Sequence, residues 1–269
     1  MTLQFTKMNG AGNDFVVIDN RDTSLRLSSR EIANLCDRHR GVGADGLLLV
    51  EPPSSEADFR MRYYNSDGGE AEMCANGARC FARFASRVSG KKDLLRLETL
   101  AGMVSAVIHG RMVRLGLSEP AEMLLNRTLE IGGQNLQVHS INTGVPHVVV
   151  FVEDLEKTPV LDRGSAIRYH KDFQPKGTNA NFVQRLGPGK ISVRTYERGV
   201  EGETLACGTG VAASGLIYSA VDALQSPVRV LVRGGDWMEV GFQKINSGFE
   251  KVTLEGPADF VFEGVVDLG

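Results

Sequence analysis

The feature that most constrains the fold of this sequence is that its second half repeats the first at a nearly constant spacing. Four segments recur in the same order, each displaced by 132 to 134 residues. The matched positions are Gly10 and Gly144, Gly43 and Gly177, Arg62 and Arg194, and Glu70 and Glu203. Ordered matches at one spacing indicate a duplicated structural unit, so we predict two similar domains.

The repeat makes Cys74 and Cys207 equivalent positions, 133 residues apart. The segment EAEMCANG at residues 70–77 corresponds to ETLACGTG at residues 203–210. If the two halves pack about a pseudo-twofold axis, equivalent surfaces near that axis meet, as they do in an isologous contact. We therefore expect the two thiols to face each other across a cleft.

In each half a strand-like segment is followed by small residues and then by a helix-like segment. Residues 59–65 and 191–197 show the alternation and the aromatic and β-branched content of strands. Residues 75–88 and 208–221 are predicted to be helical, and the second of these is apolar on nearly every side, so it should be buried. The predicted fold class is α+β, with two pseudo-symmetric similar domains, each a curved, mostly antiparallel sheet around a central helix.

The length of 269 residues exceeds that of a usual single domain. We place the domain boundary near residues 120–126. The first domain, which carries Cys74, is predicted to span residues 1–120, and the second, which carries Cys207, residues 121–261.

Charge and composition exclude several classes of function. A net charge of -3 and a pI near 6.0 leave no basic face that would bind a phosphate backbone. No apolar run approaches the roughly 20 residues of a membrane helix, and the N-terminus lacks the pattern of a signal peptide. We therefore expect a cytoplasmic protein with no nucleic-acid and no membrane partner.

The cysteines do not have the spacing of a disulfide or metal framework. In a reducing compartment disulfides are rare, and paired CxxC spacing for zinc is absent from the sequence, so no metal is predicted. Cys36 lies in helix-like sequence, and Cys80 lies one turn into the first predicted helix and corresponds to Ala213. Both are interpreted as packing residues.

Cys74 and Cys207 each stand where a strand-like segment gives way to a helix start. Unpaired backbone N–H groups and the positive end of the helix dipole lower a thiol pKa at such a position, and the small residues that follow allow an anion such as a carboxylate to approach. Two matched thiols can form a redox disulfide or act as an acid and a base. Racemisation suits the second role, because it needs a base and an acid on opposite sides of one carbon.

The sequence resembles the diaminopimelate epimerase family over almost its whole length. The resemblance rests on KMNGAGNDF, GVGADG, YYNSDGGEAEMCANGARC, NTGVPH, GTNANFV and YERGVEGETLACGTG. It implies interconversion of LL- and meso-2,6-diaminopimelate, in lysine and peptidoglycan precursor synthesis, without pyridoxal phosphate or another cofactor. It also implies a homodimer, and a return of residues 262–269 to the first domain.

The resemblance also implies a set of site residues. Cys74 and Cys207 are the thiol and thiolate, with Cys74 at the position of the proton donor and Cys207 at that of the acceptor, and His147 and Glu197 assist thiol deprotonation. The residues expected to bind the substrate, including the carboxylate at the reacting centre, are Asn13, Asn65, Ala75, Asn76, Asn181, Glu197, Arg198, Gly208 and Thr209.

Three positions depart from the family pattern. Gly46 stands where many members have glutamine, and Val145 where many have asparagine. Each change removes a polar group, so we expect the far end of the substrate to be held differently. Ala75 replaces a frequent glycine, which is a small change.

Two alternative functions remain open from the sequence. One is a two-base isomerase of the same shape that acts on another amino acid, or on an isochorismate-like or hydroxyproline-like substrate. The segment ERG after Tyr196 together with the second thiol argues against isomerases that use a single carboxylate. The other is a binding module whose two thiols act as a redox switch.

Overall fold

The structure is a computed structural model that describes residues 2–92, 94–246 and 248–268. The chain divides into two compact units. The first comprises Met1–Leu115 and Gly256–Gly269, and the second comprises Gly116–Glu255. Each division falls a few residues before the position predicted from the sequence.

The first unit is a sheet with two helices. Its elements are β1 (Thr2–Gly10), β2 (Asn13–Asp19), α1 (Ser29–Cys36), β3 (Gly46–Glu51), β4 (Phe59–Asn65), β5 (Glu70–Ala71), α2 (Ala75–Ser89), β6 (Leu94–Thr99), β7 (Gly102–His109), β8 (Met112–Gly116) and the returning strand β18 (Asp259–Asp267). The strands pair in the order β18, β1, β2, β3, β4, β6, β7 and β8, with the short β5 also paired to β4. The pairs β2/β3 and β4/β6 are parallel and the others antiparallel.

The second unit repeats this arrangement element by element. It contains β9 (Ala121–Ile131), β10 (Gln134–Asn142), β11 (Pro146–Phe151), α3 (Val160–Arg168), a 3₁₀ turn (Lys171–Phe173), β12 (Asn179–Gly187), β13 (Lys190–Glu197), β14 (Gly202–Thr204), α4 (Gly208–Val221), β15 (Val228–Val232), β16 (Trp237–Ile245) and β17 (Gly248–Pro257). The strands pair in the order β9, β10, β11, β12, β13, β15, β16 and β17, and β14 pairs with β13. Here β11/β12 and β13/β15 are the parallel pairs. The two units share one topology, which confirms the prediction of two similar α+β domains.

A repeated ion pair shows that the similarity extends to side chains. In the first unit the Arg62 guanidinium lies 2.8 Å from the Glu70 carboxylate, and in the second the Arg194 guanidinium lies 2.6 Å from that of Glu203. In each unit the arginine lies on a long strand, β4 or β13, and the glutamate lies on the short strand paired with it, β5 or β14, which leads into the central helix. The matched arginines and glutamates seen in the sequence therefore hold the same local structure in each half.

The central helices α2 and α4 are enclosed by their sheets. Helix α4 packs against β10, β11, β12, β13, β15 and β16, and α2 packs against the corresponding strands of the first unit. Residues 210–219 of α4 are all buried, as predicted from its apolar and small side chains. Gly215 allows the close approach, because a Cβ atom there would lie 2.9 Å from the Val240 side chain.

The other face of each sheet carries a second, smaller core. In the first unit Ile32 and Leu35 of α1 pack on Val16 and Leu47. In the second unit α3 packs in the same way on β12 and β13. Helices thus cover both faces of each sheet. The polar residues of the candidate site lie at the strand ends next to α2 and α4. Among the described residues no helix is long and apolar enough to span a membrane.

Candidate active site

Cys74 caps the start of α2 in the first unit. Its sulfur accepts a hydrogen bond from the Gly77 backbone N–H at 3.5 Å, and its thiol donates to the Asn13 Oδ1 atom at 3.6 Å. The side chain is half-buried. A thiol at this position has both a donor that favours its charged form and a neutral oxygen that holds its proton.

Asn13 is held from its other side by a carboxylate. Its Nδ2 atom donates to Asp45 Oδ2 at 2.6 Å, and Arg38 donates to the other oxygen of that carboxylate at 2.8 Å. The amide therefore turns its oxygen to Cys74. The residue predicted to hold substrate is placed by these contacts beside the thiol itself.

The start of α2 contains a buried arginine that sequence reasoning missed. Arg79 is fully buried and donates to Asn76 Oδ1 at 2.9 Å, to the Ala75 carbonyl at 3.3 Å and to the Pro257 carbonyl at 3.2 Å. The amide oxygen of Asn76 is thereby turned towards the cation. The only signal in the sequence was the spacing of Arg79, one helical turn after Asn76.

Cys207 caps the start of α4 in the second unit, as the repeat predicted. It is 6% exposed, and its sulfur lies 3.6 Å from the Thr209 hydroxyl. Its thiol is also hydrogen bonded to the Glu197 carboxyl group. The two cysteines thus occupy equivalent backbone positions but have chemically different neighbours.

Glu197 has the properties of a proton acceptor for the Cys207 thiol. Burial raises the pKa of its carboxyl group, and hydrogen bonds with Thr204 and Cys207 oppose that rise only in part. The Thr204 hydroxyl donates to Oε2 at 2.8 Å. A carboxylate with a raised pKa is closer to a thiol in proton affinity than an exposed one, so transfer of the thiol proton to it costs less.

His147 lies behind Thr209 and is enclosed by protein. Burial lowers the pKa of its imidazole to about 3, and the positive charge of Arg198 contributes less in the same direction. The ring is therefore neutral at physiological pH. Its Nε2 atom lies 3.0 Å from the Thr209 hydroxyl and its Nδ1 atom lies 3.2 Å from the Asn181 side-chain nitrogen. His147 is therefore linked to Cys207 through the Thr209 hydroxyl.

Two amides on β12 have separate partners. Asn181 is fully buried and bonded to His147, Val148 and Thr195. Asn179, which the sequence did not single out, accepts the Arg198 backbone N–H at 2.8 Å and donates to the Pro146 carbonyl at 3.0 Å.

The guanidinium of Arg198 is half-exposed and donates to the Lys176 carbonyl at 3.1 Å. A guanidinium can pair with a carboxylate in two parallel hydrogen bonds.

Asn65 is exposed at the end of β4, where Tyr63 orients it. The Tyr63 hydroxyl donates to Asn65 Oδ1 at 2.6 Å, which leaves the amide N–H groups to face a ligand. The adjacent Gly46 has no room for a side chain, because a Cβ atom there would lie 2.5 Å from the Tyr64 carbonyl and 2.8 Å from the Tyr63 ring. The tyrosine ring thus fills the space next to the glycine that departs from the family pattern.

The second departure, Val145, is half-buried in the turn between β10 and β11. Its carbonyl accepts the backbone N–H of Thr143 at 3.2 Å. The turn is therefore held by backbone contacts at this position.

The remaining cysteines have the burial expected of packing residues. Cys36 is 3% exposed and Cys80 is 0% exposed, and burial raises the pKa of Cys36 to about 11 and that of Cys80 to about 12. Such thiols stay protonated at physiological pH. Within residues 2–92, 94–246 and 248–268, no three His, Cys, Asp or Glu side chains are grouped so as to hold a metal ion.

Comparison with known proteins gives consistent matches over most of the chain. The sequence model of the family described as diaminopimelate epimerase matches residues 5–116 and 139–260. A diaminopimelate epimerase from Aquifex aeolicus (strain VF5) is 45% identical over 274 residues, covering 97% of this chain and 97% of the relative.

Two solved structures share the fold at low sequence identity. A phenazine biosynthesis protein of the PhzF family from Bacillus anthracis has a TM-score of 0.73 and 18% identity, covering 99% of both chains. A hydroxyproline epimerase from Agrobacterium vitis, with bound trans-4-hydroxy-L-proline, has a TM-score of 0.74 and 14% identity, covering 98% of this chain and 92% of that one. At these identities the two structures confirm the fold class and nothing finer.

Proposed function

The chain belongs to the diaminopimelate epimerase family, and from that premise we propose that it interconverts LL- and meso-2,6-diaminopimelate by a two-base reaction in which Cys74 and Cys207 are the acid and the base. The resemblance seen in the sequence is confirmed by this membership, and the chain is an isomerase. The proposed reaction needs no cofactor and serves lysine and peptidoglycan precursor synthesis. The observation that carries the proposal is that each thiol caps a buried helix at the same position of a duplicated domain.

The neighbours of the two thiols support a division of roles. Cys207 contacts a carboxylate of raised pKa, so its proton has an acceptor and the thiolate serves as the base. Cys74 donates a hydrogen bond to the Asn13 amide oxygen, which is too weak a base to remove the proton, so this thiol serves as the acid. In one turnover the Cys207 thiolate removes the α-proton of the substrate, and the Cys74 thiol returns a proton to the opposite face. The cycle leaves a Cys207 thiol and a Cys74 thiolate, which is the starting state for the reverse direction.

The helix starts provide for the negative charge that develops during the reaction. Removal of the α-proton places charge on the α-carbon and its carboxylate, and preorganised backbone N–H groups stabilise it where it forms. The groups available for this are the backbone N–H groups of Ala75, Asn76, Gly208 and Thr209 at the first turns of α2 and α4. Asn65 and Arg198 would bind the polar groups at the far end of the substrate.

Solvent isotope exchange tests the reaction. Purified protein incubated with LL-diaminopimelate in deuterated water is expected to form the meso isomer with deuterium at the α-carbon. The absence of deuterium there would contradict the proposal. The same assay with trans-4-hydroxy-L-proline tests the alternative substrate class, and preferential turnover of that compound would replace our assignment.

Single alanine variants test the thiols. Cys74→Ala and Cys207→Ala are each expected to lower kcat by at least about 1,000-fold, since each removes a reacting group. Cys80→Ala is the matched control, because it removes a thiol from the same helix start without touching the site. If turnover survived in both of the first two variants, the redox-switch hypothesis would gain. We also expect a cytoplasmic homodimer, which light scattering of the purified protein would test.

A further inference from the structure

Asn181 lies in the centre of the second unit, where all of its polar atoms have protein partners. It is fully buried on β12. Its Nδ2 atom lies 2.9 Å from the Val148 carbonyl and 3.2 Å from His147 Nδ1, and its Oδ1 atom accepts the Thr195 hydroxyl at 2.9 Å. Both N–H groups of a side chain held in this way are taken up by protein partners, so neither is left to bind a substrate carboxylate.

The partners of Asn181 determine which way its amide points. A backbone carbonyl only accepts hydrogen bonds, so the atom that faces the Val148 oxygen must be the nitrogen. Reversing the amide would place two oxygens against each other at 2.9 Å. The second hydrogen of the Asn181 nitrogen therefore points at His147 Nδ1, which must be an acceptor.

The hydrogen bond at Nδ1 settles where the ring of His147 carries its hydrogen. The ring is neutral, because burial, and after it the positive charge of Arg198, lowers its pKa to about 3. A neutral imidazole has one N–H group, and with Nδ1 accepting, that group is at Nε2. It therefore donates to the Thr209 hydroxyl oxygen at 3.0 Å.

Thr209 then has one hydrogen to donate and the Cys207 sulfur in reach. The hydroxyl oxygen accepts from His147 and lies 3.6 Å from the sulfur, a contact in which either atom can be the donor. Because the Cys207 thiol is hydrogen bonded to the Glu197 carboxyl group, we assign the hydrogen of this contact to the Thr209 hydroxyl. A donated hydrogen bond favours the thiolate form of a cysteine. The thiol is also hydrogen bonded to the Glu197 carboxyl, which takes the proton in the proposed mechanism.

The first turn of α4 is built to bring the amide and the sulfur together. A Cβ atom on Gly210 would lie 2.4 Å from Asn181 Oδ1 and 3.4 Å from the Cys207 sulfur. No side chain fits there without moving the amide. The glycine is thus an independent sign that Asn181 belongs to the thiol site.

We propose that Asn181 is a positioning residue that holds His147 in the tautomer protonated at Nε2, so that Thr209 donates its hydroxyl hydrogen to the Cys207 sulfur. This inference rests on the proposed function, in which Cys207 is the base. It assigns Asn181 an indirect role in place of the substrate contact implied by the family resemblance. Asn179, two residues earlier on the same strand, bonds to Arg198 and has no such link to the thiol.

The first test is spectroscopic and needs no substrate. In protein labelled with ¹⁵N-histidine, we expect the His147 signals to show a protonated Nε2 and an unprotonated Nδ1, and to stay unchanged between pH 5 and 8 as far as the protein is folded. A protonated Nδ1 in the native protein would overturn the proposal. This measurement keeps its meaning even if diaminopimelate proves not to be the substrate, so failure of the inference and failure of the proposed function are distinguishable.

The second test uses Asn181→Ala with Thr195→Val as its control. Asn181→Ala is expected to populate the Nδ1-protonated tautomer, to lower kcat about 10-fold at neutral pH with KM unchanged, and to shift the acidic limb of the kcat profile up by about one pH unit. Thr195→Val removes a hydrogen bond from the same amide but keeps the donor to His147, so tautomer and acidic limb should not change. A rise in KM with the native tautomer retained would show that Asn181 binds substrate and would refute the inference.

A third variant covers the case in which Asn181→Ala does not fold. Thr209→Val has nearly the shape of the native side chain and removes only the hydroxyl that joins His147 to Cys207. We expect the same shift of the acidic limb, with the His147 tautomer unchanged because its Nδ1 partner remains. An unshifted limb in this variant would contradict the relay to the sulfur.

Discussion

Replacing Glu197 with glutamine separates the proposed catalytic role of this carboxylate from its effect on stability. The substitution keeps the length of the side chain and leaves an oxygen to accept the Thr204 hydroxyl, which lies 2.8 Å from Oε2 in the native protein. It removes the basic group that is hydrogen bonded to the Cys207 thiol. Cys207 then loses the carboxylate that takes its proton in the proposed mechanism.

The expected loss of activity follows from this role. A positioned general base contributes about 10²- to 10⁴-fold to a rate. Burial raises the pKa of Glu197 towards that of a thiol, and each unit by which the two values approach makes the proton transfer about 1.4 kcal/mol less costly. We therefore expect kcat of Glu197→Gln to fall by at least about 100-fold.

The expected change in stability has the opposite sign. The folded-state pKa of Glu197 lies above its usual value of 4.5, so its ionisation opposes folding. This penalty is absent below the pKa of the unfolded chain, grows as the pH rises through the folded-state pKa, and is complete above it. At neutral pH Glu197→Gln should unfold at the same denaturant concentration as the native protein or a higher one, and any gain should vanish as the pH is lowered below 4.5.

Glu203→Gln is the matched control, with the reverse pattern. Glu203 is bonded to the Arg194 guanidinium at 2.6 and 2.7 Å and has no described contact with Cys207. Its substitution should lower the free energy of unfolding by about 2 kcal/mol and leave kcat close to that of the native protein. Isotope exchange in deuterated water and urea unfolding measure both quantities. A loss of less than about 10-fold in Glu197→Gln, or a loss matched in Glu203→Gln, would refute the assignment of Glu197 as the proton acceptor.

Two further predictions concern the distal end of the site. Tyr63→Phe removes the hydroxyl that donates to Asn65 at 2.6 Å. In steady-state assays KM for diaminopimelate should therefore rise about 3- to 10-fold with kcat unchanged. The control Tyr64→Phe should change neither KM nor kcat. Gly46→Gln, which restores the residue frequent in the family, should lower the free energy of unfolding by about 1–3 kcal/mol, because its Cβ atom would lie 2.5 Å from the Tyr64 carbonyl. Denaturant unfolding measures this, and an unchanged midpoint would show that the strand adjusts to the side chain.

Much of the fold could be predicted because its signals are local or repeated. The strand expected at residues 59–65 has those bounds, and α4 begins at Gly208, directly after the cysteine. Alternation of apolar residues and small residues before an apolar run specify such elements without long-range contacts. The repeat then fixes which elements correspond, since one topology has to satisfy both halves.

Contacts between side chains on different strands could not be predicted in the same way. Asn179 and Asn181 lie two residues apart and face the same side of β12. Their partners depend on the register with the parallel strand β11, where His147 pairs with Asn179 and Val149 with Asn181. A sequence shows the two amides but not this register, so it could not show that one of them is enclosed with the imidazole.

The same limit applies to Gly46 and Tyr63. The sequence shows a glycine where a polar side chain is frequent, which predicts a lost contact. The structure shows that the ring of Tyr63, on the neighbouring strand, occupies the adjoining space and bonds to Asn65. Gly46 thus lacks the polar side chain frequent in the family, and Tyr63 on the neighbouring strand supplies a hydroxyl group.

Duplication by itself does not decide which thiol is the base at the start of a turnover, because two equivalent thiols in identical surroundings would have the same proton affinity. The residues around the two helix starts differ in the property that matters. Cys74 faces an amide oxygen, which holds a proton in place but cannot accept it. Cys207 faces a carboxylate whose raised pKa allows it to take the proton. In the proposed mechanism it is therefore the divergence around the equivalent positions, rather than their equivalence, that makes Cys207 the base and Cys74 the acid at the start of the turnover described above.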